Sequence, residues 1–202
     1  MNVRLKKIVL ATNNVGKLRE LRASLVDSDL EFRSQAEYDV PEAKETGVTF
    51  IENALIKARN ASRHSGLPSI SDDSGLEVDC LNGAPGVHSS RFAGENATDS
   101  DNLDKLLDAV AGFPLEKRTA RFHCVMAYLR SEADPAPLIS TGIWEGHIGM
   151  ERKGHHGFGY DPVFIVANID QTSAELEVME KSLLSHRGQA IRKLIDQLRT
   201  KY

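Results

Sequence analysis

The chain has 202 residues, enough for a single domain of ordinary size, residues 1–202, which we expect to have two lobes. Hydrophobic residues make up 41% and charged residues 27%, which is typical of a globular protein with a substantial core. The 25 basic and 29 acidic side chains give a net charge of -4, and no dense Lys/Arg run occurs. This balance disfavours a nucleic acid polymer as partner but permits a small anionic ligand.

Cys80 and Cys124 match no metal-binding spacing and are too few for a disulfide framework. We interpret them as buried thiols in the reducing cytoplasm. After the basic residues 1–7, the apolar stretch from Ile8 to Ala11 is too short for a signal peptide. No apolar run approaches the length of a membrane span. The sequence therefore predicts a cytoplasmic protein with no membrane partner.

The first elements are two short strands and a helix. Lys7 to Ala11 is predicted to be a buried strand, and Leu30 to Ser34 a second one. A polar segment from Thr12 to Lys17 ends the first strand. The helix that follows has a stripe of leucines, namely Leu18, Leu21 and Leu25.

A second helix is indicated by the capping-box pattern from Thr49 to Glu52. It should end near Ser65, with Gly66 as its C-terminal stop. Beyond it we expect an extended segment, a turn and a strand, at Pro68 to Ser71, Asp72 to Gly75 and Leu76 to Cys80.

The second half of the chain mixes strands and helices without strict alternation. Thr98 and Asp101 predict a capped helix through Ala111. The predicted strands are Thr119 to Arg130, Leu138 to Trp144, Ile148 to Glu151 and Val163 to Val166, the first two forming an antiparallel hairpin. Residues from Ser173 onward should be helical. Ser185 should cap a final helix whose buried stripe is Ile191, Leu194, Ile195 and Leu198. We therefore expect an α/β fold with a mixed sheet flanked by helices.

The segment from Thr12 to Lys17 joins a strand to a helix N-terminus, where free backbone N–H groups favour an anion. Thr12 with Asn13 or Asn14 can donate hydrogen bonds, and Lys17 supplies positive charge. The segment lacks the second glycine and the Lys-Ser/Thr pair of a Walker A loop. A capped turn with a surface lysine is the alternative interpretation.

Glu45, Asp72 and Asp73 are candidate ligands for magnesium, which prefers carboxylate, phosphate and water oxygens. An ordinary Asp-rich turn remains the alternative. On the helix after Thr49, Asn53, Lys57 and Asn60 share one polar face. A solvated face is the usual explanation, but Lys57 is also a second cation for a phosphate chain.

The glycine-rich loop from Lys153 to Pro162 carries aromatic residues. Phe158 can stack on a base, and Asp161 can accept a hydrogen bond from a base or sugar. The alternative is a tight turn with Phe158 and Tyr160 in the core. His155 and His156 lack convincing zinc spacing and are interpreted as loop residues.

Lys181, His186 and Arg187 gather charge at a break between two helices. Arginine and histidine are donors able to recognise the carbonyl oxygens of a purine. A capped helix start with exposed basic residues is the alternative.

Taken together and in order, these segments resemble the inosine triphosphate pyrophosphatase family, also called dITP/XTP pyrophosphatases, from Ile8 to about Leu198. The matching segments are TNNVGK at 12–17, ETGVTFIENA at 45–54, SDDSGL at 71–76, GAPG at 83–86, GFGYDP at 157–162 and SHR at 185–187. Each segment alone is modestly specific, and their combination is strongly specific.

The resemblance implies a long mixed sheet flanked by helices, in two lobes with a central active-site cleft. It implies a homodimer that hydrolyses non-standard purine nucleoside triphosphates (ITP, dITP, XTP and dXTP) to the monophosphate and pyrophosphate. The α-phosphorus is attacked, and magnesium is required. Such an enzyme cleanses the nucleotide pool.

The resemblance also implies roles for residues at matching positions. Glu45 and Asp73 would hold the metal, Asp73 would accept the proton, and Lys57 would act near the phosphates. The substrate would be bound by Thr12, Asn13, Asn14, Val15, Gly16, Lys17, Ser74, Phe158, Gly159, Tyr160, Asp161, Lys181, His186 and Arg187.

Two departures from the family pattern are Asn13, where glycine or serine is frequent, and the pair His155-His156, where small residues are frequent. Asparagine tolerates positive φ, so the first loop can keep its shape. Two rival functions are a pyrophosphatase for modified pyrimidine or methylated nucleotides, and a nucleotide sensor without turnover.

Overall fold

The computed structural model describes residues 6–24 and 30–201. The interpretation of the basic residues 1–5 and the place of Leu25 in the first helix lie outside these ranges. The described chain forms two compact units. The first contains residues within Met1–Asp73, Val125–Thr141 and Ala190–Tyr202, and the second those within Ser74–Cys124 and Gly142–Gln189. The expectation of a central cleft stays a prediction.

Eleven helices and strands make up the framework of residues 6–24 and 30–201. The strands are β1 (Lys6–Leu10), β2 (Leu30–Ser34), β3 (Ser69–Val78), β4 (Thr119–Leu129), β5 (Leu138–Ile148) and β6 (Phe164–Val166). The helices are α1 (Val15–Ser24), α2 (Phe50–Ser65), α3 (Asp99–Val110), α4 (Val178–Leu184) and α5 (His186–Lys201). Within these residues no helix is both long and apolar enough to cross a membrane.

The sheet is mixed, as the sequence predicts. Its strand order is β2-β1-β3-β4-β5-β6. β1 runs parallel to β2 and to β3, whereas β5 and β6 are antiparallel. The N–H of Ile148 at the end of β5 donates to the carbonyl of Arg118 just before β4, at 2.9 Å, which is the pairing of an antiparallel hairpin. The prediction of an α/β fold with a mixed sheet is confirmed.

In the first unit, α2 packs closely on the sheet through small residues. Ala54 and Ala58 are fully buried against Val125, Ala127 and Leu129 of β4. Alanine side chains allow the helix to approach the strands, and buried serine hydroxyls of β3 reach the helix backbone. The Oγ of Ser69 donates to the carbonyl of Ala58 at 2.8 Å, and that of Ser71 donates to the carbonyl of Ala54. These bonds place β3 directly against α2.

The ends of α2 follow the predicted pattern. The Thr49 hydroxyl accepts the N–H of Glu52 at 3.2 Å, and Glu52 accepts the N–H of Thr49 at 2.9 Å. Gly66 ends the helix in the left-handed conformation, with φ 68°. The capping box at Thr98 and Asp101 is also present, and α3 follows it. Local hydrogen bonds set these boundaries, which is why the sequence indicates them well.

The second unit has a large apolar core between its strands and α3. Its buried members include Leu76 and Val78 of β3, Ala120 and Phe122 of β4, Trp144 and Ile148 of β5, Phe164 and Val166 of β6, and Leu103, Leu106 and Val110 of α3. The rings of Phe122 and Phe164 lie 4.5 Å apart, centroid to centroid. This core supports the loop that precedes β6.

The predicted turn from Asp72 to Gly75 is wrong. β3 continues without interruption from Ser69 to Val78, and both aspartates are buried within it. A strand tolerates buried carboxylates when cations meet them, and lysines from two helices do so here. The sequence interpretation failed because those lysines are distant in the chain.

The predicted helix from Ser173 begins too early, because α4 starts only at Val178. The N–H of Ser173 donates to the carbonyl of Phe164 at 2.8 Å, and its hydroxyl donates to Asp161 at 2.7 Å. These bonds hold the segment beside β6 in a non-helical form. Ser185 does cap α5, since its hydroxyl accepts the N–H of Gly188 at 3.1 Å. The stripe of Ile191, Leu194 and Leu198 is buried, and Ile195 is half-buried.

Candidate active site

The loop from Thr12 to Lys17 is an ordered N-terminal cap of α1. The Thr12 hydroxyl accepts the N–H of Asn14 at 3.2 Å, and the Asn14 side chain accepts the N–H of Lys17 at 3.0 Å. Asn13 accepts a hydrogen bond from the side chain of Gln35 at 2.8 Å. Asn13, Asn14 and Val15 are exposed, whereas Thr12 and Gly16 are half-buried. The loop is therefore fixed in shape and accessible at a helix N-terminus, as an anion site requires.

Lys17 is not a surface lysine. Its side chain is 15% exposed, and its Nζ lies 3.0 Å from Oδ2 of Asp72, whose side chain is fully buried. α1 therefore brings a cation to the sheet as well as its backbone N–H groups. The alternative of a capped turn with a solvated lysine is correct for the cap and wrong for the lysine.

Lys57 joins two of the proposed metal ligands. Its Nζ lies 2.6 Å from Oδ1 of Asp73 and 3.0 Å from Oε1 of Glu45. Its own side chain is only 14% exposed. The structure thus brings Glu45, Lys57 and Asp73 together in the first unit, as the sequence predicts from separate segments.

Burial and neighbouring charges shift the pKa values of Lys57 and Asp73 in this cluster. Burial opposes the charge on Lys57, but Asp73, Asp72 and Glu45 outweigh it and raise the Lys57 pKa. Burial also raises the pKa of Asp73, and the ion pair with Lys57 does not cancel that effect. Among the described residues, the ion pairs of this cluster join two lysines, Lys17 and Lys57, to three carboxylates. The excess negative charge favours an additional cation.

The donor set suits magnesium. Within residues 6–24 and 30–201, Oδ2 of Asp73 is buried and has no hydrogen-bond partner. The same residues contain no group of three or more His, Cys, Asp or Glu side chains able to enclose a metal. Magnesium does not need such a cage, because it is commonly bound by one or two carboxylates together with substrate phosphates and water. Glu45 and Asp73 therefore fit this ion.

The polar face of α2 is not simply solvated. Asn53 is 0% exposed, and its Oδ1 accepts the N–H of Gly47 at 2.9 Å. Asn60 donates to the carbonyl of Pro41 at 2.7 Å. Both asparagines hold the segment that contains Glu45 against the helix. The interpretation of this face as solvated is wrong for Asn53. In the sequence, its position four residues before Lys57 indicates that the two side chains share one face of α2.

In the second unit, Asp161 organises the glycine-rich loop. Its carboxylate accepts the N–H of Phe158 at 2.8 Å, the hydroxyl of Ser173 at 2.7 Å and a hydrogen bond from Lys181 Nζ. Gly157 makes this possible: its φ is 84°, and a Cβ there would lie 2.0 Å from Oδ2 of Asp161. Asp161 is therefore engaged with the protein, and its predicted bond to the substrate stays a prediction.

Phe158 is half-buried, and two cations lie over its ring. Lys181 Nζ is 5.5 Å and Arg187 Cζ is 5.6 Å from the ring centroid. Arg187 is 2% exposed and donates to the hydroxyl of Ser74 at 2.9 Å. The structure thus unites Ser74, Phe158, Lys181 and Arg187. The alternative of exposed basic residues at this helix start is wrong, because Lys181, His186 and Arg187 are all buried.

His186 and Tyr160 pack into the core of the second unit. The His186 ring stacks on Phe122, with centroids 4.7 Å apart and an interplanar angle of 13°. The Tyr160 hydroxyl donates to the carbonyl of Ser89 at 2.7 Å, and burial raises the Tyr160 pKa well above its usual range. The alternative of a core position is therefore correct for the Tyr160 side chain. His155 and His156 are exposed loop residues, as expected.

Sequence reasoning missed Asp99 and Ser89. Asp99, in the first turn of α3, accepts the N–H of Gly159 at 2.8 Å. The Ser89 hydroxyl accepts the N–H of Leu76 at 2.8 Å, while its carbonyl receives the Tyr160 hydroxyl. In the sequence, the motif GAPG at 83–86, just before Ser89, was the signal that pointed to the contacts of Ser89.

Comparison with known proteins gives matches over nearly the full length of the chain. The sequence model of the Ham1 family matches residues 8–197. The chain is 56% identical over 194 residues to a dITP/XTP pyrophosphatase of Vibrio parahaemolyticus, covering 96% of this chain and 97% of that protein. It is 54% identical over 195 residues to a dITP/XTP pyrophosphatase of Salmonella typhimurium, covering 96% and 99%.

Solved structures give the same result. A HAM1 protein from Coxiella burnetii has a TM-score of 0.91 at 49% identity, covering 97% of this chain and all of that chain. A nucleoside-triphosphatase, dITP/XTP pyrophosphatase, from Mycobacterium abscessus has a TM-score of 0.75 at 41% identity, covering 94% and 98%. The family match, the identities and the shared fold extend over the whole site. This chain therefore belongs to the Ham1 family.

Proposed function

We propose that this chain hydrolyses non-standard purine nucleoside triphosphates, namely ITP, dITP, XTP and dXTP, to the monophosphate and pyrophosphate, and so cleanses the nucleotide pool. The names of the relatives, dITP/XTP pyrophosphatase, support this activity at 54–56% identity over 96% of this chain. The observation that carries the proposal is the cluster in which Lys57 joins Glu45 and Asp73 while Oδ2 of Asp73 has no hydrogen-bond partner in the described chain.

We propose magnesium as the cofactor, held by Glu45 and Asp73. When bound, this ion supplies positive charge to phosphate oxygens and makes a water molecule more acidic. The proposal is supported by the negative excess of the cluster and by its oxygen-only donors.

Asp73 acts as proton acceptor in this proposal. Its Oδ1 is held by Lys57, whereas Oδ2 has two lone pairs, of which one would face the metal and the other would accept the proton of the attacking water. When the substrate binds, Lys57 and Lys17 exchange contacts with their carboxylate partners for contacts with phosphate oxygens. They then neutralise the negative charge on those oxygens. Phosphoryl transfer depends chiefly on such positioning and charge.

The loop from Thr12 to Lys17 is the proposed phosphate cradle. The first turn of α1 has backbone N–H groups without intrahelical acceptors, and the helix dipole adds positive potential there. The caps made by Thr12 and Asn14 hold these groups in place before the ligand binds. Attack at the α-phosphorus, with pyrophosphate as the leaving group, is proposed from the family resemblance.

Base selection is proposed to come from the cations around Phe158. Hypoxanthine and xanthine carry an oxygen at the position where adenine carries an amino group. The side chains of Lys181 and Arg187 carry N–H donors, so they favour that oxygen and leave an amino group badly paired. Phe158 offers a ring for stacking, and buried His186 stands beside Arg187 in α5. Guanine must be rejected at its 2-amino group.

We also propose a cytoplasmic homodimer. The dimer is carried over from the family resemblance, and size-exclusion chromatography with light scattering tests it. The cytoplasm is supported by Cys80 and Cys124, which are both free thiols in the structure.

A nucleotide panel tests the proposed function. Pyrophosphate release is measured for dITP, ITP, XTP, dGTP, dATP and dTTP, with and without magnesium. The proposal expects fast release from the first three and none without a divalent metal. Faster hydrolysis of dTTP or a methylated nucleotide would support the pyrimidine alternative, and binding without turnover would support a sensor. Hydrolysis in H₂¹⁸O should place the label in the monophosphate.

A further inference from the structure

We propose that Asn53 is a positioning residue for the metal site, and that its hydrogen bond to Gly47 sets where Glu45 stands. This inference rests on the proposed function, because it assumes that Glu45 binds the metal. Among the described residues, the Asn53 side chain has a hydrogen bond to Gly47 and none to Lys57, Glu45 or Asp73. It therefore acts on the metal site through the backbone of the loop.

The contact between Asn53 and the loop is fully buried on the asparagine side. Asn53 is 0% exposed, and its Oδ1 accepts the N–H of Gly47 at 2.9 Å. Gly47 fits this place closely: a Cβ there would lie 2.7 Å from Oδ1 of Asn53 and 2.5 Å from Cβ of Glu52. Glu45 lies only two residues before Gly47, so this bond limits the movement of its backbone.

Three successive N–H groups of the loop are bound to the first turn of α2. Gly47 donates to Asn53, and Val48 and Thr49 both donate to Oε2 of Glu52, at 2.8 and 2.9 Å. The capping box accounts for the two bonds to Glu52. The bond from Gly47 lies beyond the box and extends the attachment toward Glu45.

Asn53 and Lys57 are four residues apart on α2 and therefore occupy the same face. Lys57 holds the Glu45 carboxylate at 3.0 Å, while Asn53 holds the backbone two residues later. The helix thus fixes Glu45 at two points. If phosphates replaced the Lys57 contact, the Asn53 bond would be the remaining attachment nearest to Glu45, ahead of the bonds from Val48 and Thr49 to Glu52.

The other half of the Asn53 amide adds a cost to the stability of the folded state. Within the described chain, its Nδ2 is buried and has no hydrogen-bond partner. A buried unsatisfied donor lowers the stability of the folded state. An apolar residue would avoid that cost in a helix packed on the sheet, but it would lose the acceptor for Gly47.

Two variants break the same hydrogen bond from opposite sides. Asn53→Ala removes the acceptor, and Gly47→Ala pushes the donor away while keeping Asn53. Ser62→Ala is the matched control, because Ser62 is also buried on α2 but bonds to Leu67, at the other end of the helix. Asn53→Asp restores an oxygen of the same shape as acceptor for the N–H of Gly47.

The first measurement is the binding of Mn²⁺ in the absence of nucleotide, which is monitored by the electron paramagnetic resonance signal of the free ion. The second measurement is the Mg²⁺ concentration that gives half-maximal dITP hydrolysis. Asn53→Ala and Gly47→Ala are expected to weaken Mn²⁺ binding by about tenfold or more. Turnover at saturating Mg²⁺ should fall much less. Asn53→Asp should recover most of the Mn²⁺ affinity. Ser62→Ala should lower the melting temperature without changing the Mn²⁺ affinity.

Equal Mn²⁺ affinity in wild type and in both loop variants overturns the inference while leaving the proposed function intact. The inference is also overturned, and the proposed function stays intact, if wild type hydrolyses dITP but binds no Mn²⁺. A loss of Mn²⁺ affinity in Ser62→Ala as large as that in Asn53→Ala has the same consequence. If wild type hydrolyses none of the nucleotides, the proposed function itself fails, and the inference fails with it.

Discussion

Asp72 and Asp73 are neighbours in β3, yet their carboxylates pair with lysines from different helices. Asp72 lies 3.0 Å from Lys17 of α1, and Asp73 lies 2.6 Å from Lys57 of α2. Successive side chains of a strand point to opposite faces of the sheet, so two adjacent carboxylates can be neutralised separately. The strand thereby holds both charges without a turn.

Asp73→Asn should abolish turnover and raise stability. Burial raises the pKa of Asp73 in the folded state. The ionised carboxylate therefore lowers the stability of the folded state at pH values above that pKa. This destabilisation disappears at pH values below the pKa of Asp73 in the unfolded chain. Removing the charge should increase the melting temperature at pH 7.5. Calorimetry and pyrophosphate release measure both effects. The exposed Asp108→Asn is the control; full activity in Asp73→Asn would exclude Asp73 as the base.

Gly157→Ala should damage the base pocket. The new Cβ would lie 2.0 Å from Oδ2 of Asp161 and 2.7 Å from Nζ of Lys181, at a φ of 84° that alanine avoids. Displacement of this pair should lower kcat/KM for dITP by about 10- to 100-fold. Gly66→Ala has a similar positive φ, 68°, but no atom within 4 Å of the new Cβ. It should lower stability alone, and equal kinetic losses in the two variants would contradict the prediction.

Arg187→Lys should reduce discrimination between dITP and dATP. Lysine keeps the charge but loses the planar fork that reaches Ser74 and lies over Phe158. Loss of a hydrogen bond to a charged donor is worth about 1.5–3 kcal/mol, so the ratio of kcat/KM values should fall by about tenfold or more. Arg192→Lys, an exposed change in the same helix, should leave the ratio unchanged. An unaltered ratio in Arg187→Lys would remove Arg187 from base selection.

Asp134→Asn should destabilise the β4–β5 connection in a pH-dependent way. Hydrogen bonds from the Arg130 side chain hold the pKa of Asp134 well below its usual range. Its contribution is therefore present above about pH 4, the unfolded value, and is lost as the pH falls toward the folded pKa. Urea unfolding at pH 7 should show a loss of about 2 kcal/mol. The difference from wild type should shrink below pH 4. Glu132→Gln, which removes only the solvent-accessible ion pair with Arg63, should differ little at either pH.

The fold was predictable where local hydrogen bonds set the boundaries. Thr49 and Glu52 define the start of α2, and Gly66 defines its end, because capping groups lie within a few residues of one another. The segment after Ser173 was not predictable in this way. Its backbone and hydroxyl bond to Phe164 and Asp161, and these partners override the local helix signal.

The candidate site was predictable as a set of residue types and less so as a set of contacts. Glu45, Lys57 and Asp73 were identified from separate segments and do meet in the first unit. The burial of Asn53 was not predicted, because a polar residue on a helix is ordinarily solvated. Only its contact with Gly47 explains its position.

By itself, the sequence determined the mixed α/β class, the capped helices and the family, because these depend on periodicity, local hydrogen bonds and ordered short motifs. The tertiary structure alone decided that β3 passes straight through Asp72 and Asp73, that Lys17 is buried and that Tyr160 belongs to the core. The physical reason is that the energy of a buried charge or hydroxyl depends on partners far away in the chain. Such partners become neighbours only when the helices pack on the sheet.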